Sequence, residues 1–117
     1  MERIEEVLEK MNIKYEFEEK LPYPGKDSWY GLIEFWTDTA GQDIPTEIEF
    51  DGTAEDFVDK FAKAAERYDV DEEVELFVNM RGKNGVPNTV RELLDDCQEA
   101  KDTLMEIAKK LQEAIKK

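Results

Sequence analysis

Polar and apolar residues alternate along the first half of the chain in a way that predicts one helix followed by three strands. Residues 2–11 carry apolar side chains three or four positions apart, which is the spacing of an amphipathic helix. A period of two begins at Ile13 and returns in 29–37 and 44–51, as half-buried strands require. We therefore expect a short helix and then three consecutive strands.

The second of these strands is apolar on both faces. Ile33 and Phe35 point to one side, and Tyr30 and Trp36 point to the other, with Glu34 among them. This pattern predicts a central strand that is either covered on both sides or presents an aromatic patch to solvent.

The second half of the chain predicts a helix and a further strand. Thr53 can cap a helix that runs to about Tyr68, and Asp56 would meet the positive end of its dipole. Apolar residues then alternate in 74–78, which predicts a fourth strand ending near Met80.

A long helix is predicted from Val90 to the end, with Asn88 or Thr89 as its cap. Its apolar residues recur at alternating spacings of four and three. This helix either lies across the sheet or extends past it to pair with a second chain through residues such as Leu104 and Leu111.

The predicted fold class is α+β, with the element order α-β-β-β-α-β-α. Short turns between consecutive strands favour a three- to four-stranded, mainly antiparallel sheet with helices packed on it and a long C-terminal helix. The length of 117 residues fits a single domain, 1–117. The first five elements resemble double-stranded-RNA-binding domains in their order. The resemblance is one of topology only, since the negative charge of this chain is opposite to what RNA binding needs.

The charge is strongly negative and unevenly spread. The chain has 30 acidic residues, 16 basic residues and a net charge of -14, and no Lys or Arg lies between Asp27 and Asp59. Such a field repels nucleic acid and anionic membrane, and it attracts the basic surface of a nucleic-acid-binding protein. The other explanation is that the acidic residues serve solubility alone.

Catalysis by histidine is excluded by composition. The chain has no His, so nucleophile-His triads and His-ligated zinc sites are absent, and Cys97 alone cannot form an internal disulfide or a thiolate zinc site. Cys97 falls on the apolar face of the last helix, where we expect a buried hydrophobe. We predict no enzyme activity, no cofactor and no metal site, and we expect a cytoplasmic protein without a membrane span.

Candidate binding residues come from the acidic stretch, the aromatic strand and one basic turn. Glu47 and Glu49 share a strand face. They either form a glycosidase-like pair or an oxygen-ligated divalent metal site, or simply belong to the solvent-exposed side of an alternating strand. Trp36 is either a core residue or an anchor for a partner. Lys83 lies in a turn that either serves solubility alone or contacts an acidic partner or a phosphate. The predicted partner-binding residues are Glu34, Trp36, Glu47, Glu49, Asp51, Glu55, Asp56, Asp59 and Lys83.

Two segments carry a resemblance to a known group of proteins. Residues 48–57 (IEFDGTAEDF) and 74–87 (VELFVNMRGKNGVP) resemble small acidic proteins of unknown function that are carried on phages and conjugative elements of gut Firmicutes. The resemblance covers roughly the C-terminal two thirds of the chain. It implies an accessory protein of a mobile element in a bacterial host, a class that includes inhibitors of host defence such as anti-CRISPR proteins.

Three functions are therefore open from the sequence. The first is an acidic inhibitor that imitates nucleic acid and occupies the basic groove of a defence nuclease, such as a CRISPR effector, without binding nucleic acid itself. The second is an assembly module that forms a homodimer through its last helix. The third is a metal-dependent enzyme that uses Glu47 and Glu49.

Overall fold

The computed structural model describes residues 1–20, 27–79 and 89–116. Within these ranges, four helices and three strands follow one another in the order α-β-β-β-α-α-α, which confirms the α+β class and the long C-terminal helix. The elements are α1 (Glu2–Lys10), β1 (Lys14–Glu19), β2 (Trp29–Trp36), β3 (Asp43–Phe50), α2 (Ala54–Arg67), α3 (Val70–Asn79) and α4 (Val90–Ile115).

The three strands form one antiparallel sheet in the order β1-β2-β3. In this register Leu32 of β2 lies between Glu16 of β1 and Glu47 of β3. Because side chains alternate across a strand, Ile33 and Phe35 point to the opposite face, where both are buried. The predicted division of β2 into two faces is therefore confirmed.

The inward face of the sheet packs on aromatic side chains of the helices. Phe57 of α2 meets Phe17 and Phe50 edge to face, with ring centroids 5.1 Å apart in both pairs. Such pairs add about 0.5–1.5 kcal/mol each beyond the area they bury. Gly31 lies opposite Phe17 on β2 and leaves the space that these rings fill.

The predicted fourth strand is wrong, because α3 is a helix. Val70, Val74 and Phe77 are partly buried at spacings of four and three, and α3 packs on α4. Leu76 and Val78 belong to the alternating pattern that suggested a strand. In the helix they face solvent, with 47% and 40% of their surface exposed. Residues 74–78 fit both the period of a strand and that of a helix, so the packing of this segment on α4 decides its conformation.

The long helix α4 lies across the core. It begins at the cap residue Thr89, whose Oγ1 accepts from the Glu92 amide at 3.0 Å. Leu104 and Leu111 are 3% and 0% exposed within this single chain. The two residues named for a dimer contact therefore belong to the core, and they cannot reach a second chain without unpacking it.

Candidate functional site

The face of the sheet opposite the core carries a cluster of acidic side chains. The outward positions of β1 and β3 are exposed, whereas the core that the described helices form with the sheet lies on the other face. We call the outward side chains of the three strands the outer face. Its six carboxylates are those of Glu16, Glu18, Glu34, Asp43, Glu47 and Glu49.

Two lysines partly compensate this charge at opposite ends of the outer face. Lys14 lies directly across from Glu34. Lys20, which follows β1, reaches Glu49 with an Nζ to Oε1 distance of 2.9 Å. Both members of the second pair are largely exposed, so it contributes little to stability. The outer face therefore has more carboxylates than lysines and remains negatively charged.

Apolar and aromatic side chains run along the middle of the outer face on β2. Tyr30 and Leu32 are partly exposed, and Trp36 exposes 48% of its surface at the end of the strand. The Tyr30 hydroxyl donates to Glu47 Oε1 at 3.2 Å. Partial burial, followed by this hydrogen bond, raises the pKa of Tyr30 above its usual value.

One end of the outer face brings a cation, two carboxyls and an aromatic ring together. Lys14 Nζ lies 4.8 Å from the centroid of the Trp36 ring, within the range of a cation–π interaction. Partial burial, together with hydrogen bonding and charge repulsion from Asp43, raises the pKa of Glu34, and Lys14 opposes this shift. An additional positive group at this end would relieve the repulsion between the two carboxyls.

A loop clamp holds the hairpin between β2 and β3 against α4. The Asp38 amide donates to Glu99, and the Thr39 amide and hydroxyl donate to Glu99 Oε1 at 2.9 and 2.6 Å. The Ala40 amide donates to Asp96 Oδ1 at 3.0 Å. Burial alone would raise the pKa of Glu99, but the hydrogen bonds from Asp38 and Thr39 lower it below its usual value. The loop clamp therefore fixes the ends of both strands at the outer face.

Four of the predicted partner-binding residues meet on the outer face. They are Glu34, Trp36, Glu47 and Glu49. Alternation along β1 and β3 would also have identified Glu16, Glu18 and Asp43, which the sequence analysis did not select. Nothing in the sequence indicated Asp96 or Glu99, because a carboxylate within a helical pattern is ordinarily solvated.

Asp51 and Asp56 have a structural role at the start of α2. The Asp51 amide donates to Asp56 Oδ2 at 2.9 Å, and Asp51 Oδ1 accepts from the Thr53 amide at 2.8 Å. Thr53 Oγ1 in turn accepts from the Asp56 amide at 3.2 Å, which confirms Thr53 as the cap. Asp56 also pairs with Lys60 at 3.3 Å. These carboxylates stabilise the turn at the start of α2, and their part in partner binding stays a prediction.

Glu55 and Asp59 belong to the helical layer rather than to the outer face. Glu55 lines a shallow cleft together with Arg3, and Asp59 pairs with Lys63 at 3.0 Å one turn further along α2. They do not extend the cluster on the sheet. Lys83 lies outside the described residues.

Other concave or reactive features give weaker candidates. A groove of about 580 Å³ between α1 and the end of α4 carries both signs of charge, for example Arg3 and Lys110 beside Glu6. Cys97 is buried as expected, and burial raises the pKa of its thiol, which disfavours the reactive thiolate. Among residues 1–20, 27–79 and 89–116, no group of three or more acidic or Cys side chains is arranged to hold a metal ion.

None of the described helices is both long enough and apolar enough to cross a membrane. Comparisons with protein-family models, with curated proteins and with solved structures gave no match for this chain.

Proposed function

We propose that this protein is a binding protein whose outer face covers the basic nucleic-acid-binding surface of another protein and thereby inhibits it. The observation that supports this proposal is the outer face, where six carboxylates and two lysines share with the exposed Trp36 the sheet face opposite the core that the described residues form. A surface that binds nucleic acid presents Lys and Arg to phosphates, so it attracts a rigid array of carboxylates in the same way.

The outer face supplies only part of the area that a stable interface needs. From Asp43 to Glu49 the carboxylates extend over about 20 Å, at roughly 3.4 Å per residue, and three strands about 4.8 Å apart add roughly 10 Å of width. The resulting area of about 200 Å² is a quarter of the roughly 800 Å² that a stable interface takes from each partner. Neighbouring loops and helix ends must supply the remaining contacts.

The aromatic residues strengthen the case for a protein partner over simple solubility. A surface that served only solubility would have no reason to keep Trp36 and Tyr30 in solvent beside its carboxylates. Tyr and Trp are enriched among the residues that dominate binding energy at interfaces.

The resemblance to accessory proteins of mobile elements suggests a host defence nuclease as the partner, and a CRISPR effector in particular. Such enzymes hold nucleic acid in positively charged channels. The metal-dependent enzyme has no observation in its favour. The assembly module loses the helix contact on which it was based, because Leu104 and Leu111 are core residues.

A displacement assay tests the proposal. Fluorescence anisotropy would follow labelled DNA on each member of a panel of purified CRISPR nucleases, each loaded with its guide RNA, while this protein is added. We expect it to displace DNA from at least one nuclease. Its inhibition constant should weaken about tenfold or more between roughly 50 and 200 mM salt, because screening reduces attraction between exposed charges.

Two triple variants with the same change in charge separate the outer face from net charge. Glu34→Gln/Glu47→Gln/Glu49→Gln alters only the outer face, and Glu66→Gln/Glu75→Gln/Glu106→Gln alters exposed carboxylates of α2, α3 and α4. We expect the first to lose about tenfold or more in inhibition and the second to lose about twofold or less. Equal losses, or no displacement from any nuclease in the panel, would overturn the proposed function.

A further inference from the structure

The end of the outer face near Trp36 already holds a positive group that belongs to the protein itself. Lys14 Nζ is placed 4.8 Å from the centroid of the Trp36 ring, and Lys14 faces Glu34 across the strand pair. Lys14 and Trp36 are both exposed, so an incoming side chain can replace the ammonium without unfolding any element. The lysine marks a position where the protein accommodates a cation.

A guanidinium group fits this position better than the ammonium does. It is planar and weakly hydrated, so it stacks on an indole, whereas an ammonium is a compact and strongly hydrated charge. Its parallel N–H groups can also donate to two carboxylate oxygens at once. Glu34 and Asp43 are diagonal neighbours on the same face of β2 and β3, and a shared cation would relieve the charge repulsion that helps to raise the pKa of Glu34.

The position is also held in place before any partner arrives. Trp36 ends β2 and Asp43 begins β3, and the hairpin between them is tied to α4 by Glu99 and Asp96 through the loop clamp. A preorganised site loses less conformational entropy on binding.

We propose that this end of the outer face is an arginine subsite, in which an arginine side chain of the partner stacks on Trp36, displaces the Lys14 ammonium and donates to Glu34 and Asp43. The subsite rests on the proposed function only in taking the outer face as the docking surface. It specifies the partner further, as a protein that presents an arginine rather than a lysine at this end of its basic surface.

Two synthetic peptides provide the probe. One alternates four arginines with serines, and the other carries lysines at the same positions. Titration into isotopically labelled protein would be followed by NMR through the two indole N–H signals, since the chain has only two Trp residues. Trp36→Leu assigns the signals. We expect the arginine peptide to bind about two- to fivefold more tightly than the lysine peptide and to shift the Trp36 signal but not that of Trp29.

Two lysine variants test the displacement of Lys14. Lys14→Ala and Lys20→Ala remove the same charge from the same face, but only the first clears the Trp36 ring. We expect Lys14→Ala to bind the arginine peptide about two- to fivefold more tightly than Lys20→Ala does. Trp36→Leu should retain weak, salt-sensitive binding and lose the preference for arginine.

The outcomes separate the subsite from the proposed function. Equal binding of the two peptides, or equal affinity of the two lysine variants, would overturn the arginine subsite and leave docking through the outer face intact. A preference for arginine that persists while no nuclease is displaced from DNA would support the subsite and overturn the nuclease inhibitor. If neither peptide binds at low salt, the arginine subsite is wrong, and the displacement assay alone decides the proposed function.

Discussion

Replacing Gly31 by alanine is expected to destabilise the protein, because the sheet has no room for a methyl group at that point. A Cβ atom built on Gly31 would lie 2.8 Å from Cε1 of Phe57 and 3.0 Å from two ring atoms of Phe17. The Phe57 ring is fully buried and makes edge contacts with Phe17 and Phe50, so it cannot turn away freely. The methyl group must displace an aromatic ring or push the strand outward.

The expected cost follows from two opposing effects. Overpacking of a tight core typically costs about 1–3 kcal/mol. Alanine in a strand interior is favoured over glycine by roughly 0.5–1 kcal/mol, because it restricts the unfolded chain. The net loss lies between about zero and roughly 2.5 kcal/mol, with a midpoint near 1 kcal/mol. For a domain of this size, a loss of about 1 kcal/mol lowers the Tm by roughly 4 °C.

Urea unfolding monitored by circular dichroism, with calorimetry for the Tm, would measure this loss. A double-mutant cycle with Phe57→Leu provides the control, since leucine lacks the Cε1 atom that Gly31→Ala would strike. We expect Gly31→Ala to cost at least about 1 kcal/mol less in that background. An unchanged or raised Tm for the single variant, or strict additivity in the cycle, would refute this explanation of the glycine.

Two further predictions concern α4. Glu99 has a lowered pKa in the folded protein, so its contribution is fully present above the unfolded value of about 4.3 and is lost as pH falls through the folded value. Glu99→Gln should therefore cost about 0.5–1 kcal/mol at pH 7, and this cost should shrink as the pH falls below about 4, a difference that unfolding curves across the acid range would detect. A constant cost at every pH would contradict the charge-assisted loop clamp. Leu104→Ala should cost about 2–5 kcal/mol in urea unfolding with no change of mass in solution, because Leu104 is buried within one chain. Leu94→Ala, at a residue that is 43% exposed, should cost less than about 1 kcal/mol, and equal costs would contradict the assignment of core and surface on α4.

Much of the fold could be predicted from local patterns. The period of two located β1, β2 and β3 and showed which of their residues share a face, because strand geometry is local. Thr53 and Thr89 marked the starts of α2 and α4, since a cap needs only a side-chain oxygen within hydrogen-bonding reach of the next turn. The acidic stretch and the exclusion of His chemistry followed from composition alone.

The candidate site was predictable only in part, because a strand pattern shows which residues share a face but does not show which face is covered. Trp36 was equally compatible with a second buried layer and with an exposed patch. The choice depends on where the helices pack, and the described helices build the core on the opposite face. The acidic residues that follow β3 in sequence were separated from the outer face for a related reason, since Asp51 and Asp56 are held in the capping turn of α2.

The sequence by itself determined the strand faces, the helix starts and the concentration of negative charge, since each depends on neighbours a few positions away. Only the tertiary structure decided that 70–79 is a helix, that Leu104 and Leu111 face the core, and that Asp96 and Glu99 hold the β2–β3 hairpin. The physical reason is the same in each case. A short segment that satisfies two periods, or a carboxylate within a helix, takes its conformation and its partners from residues that are distant in sequence and adjacent in space.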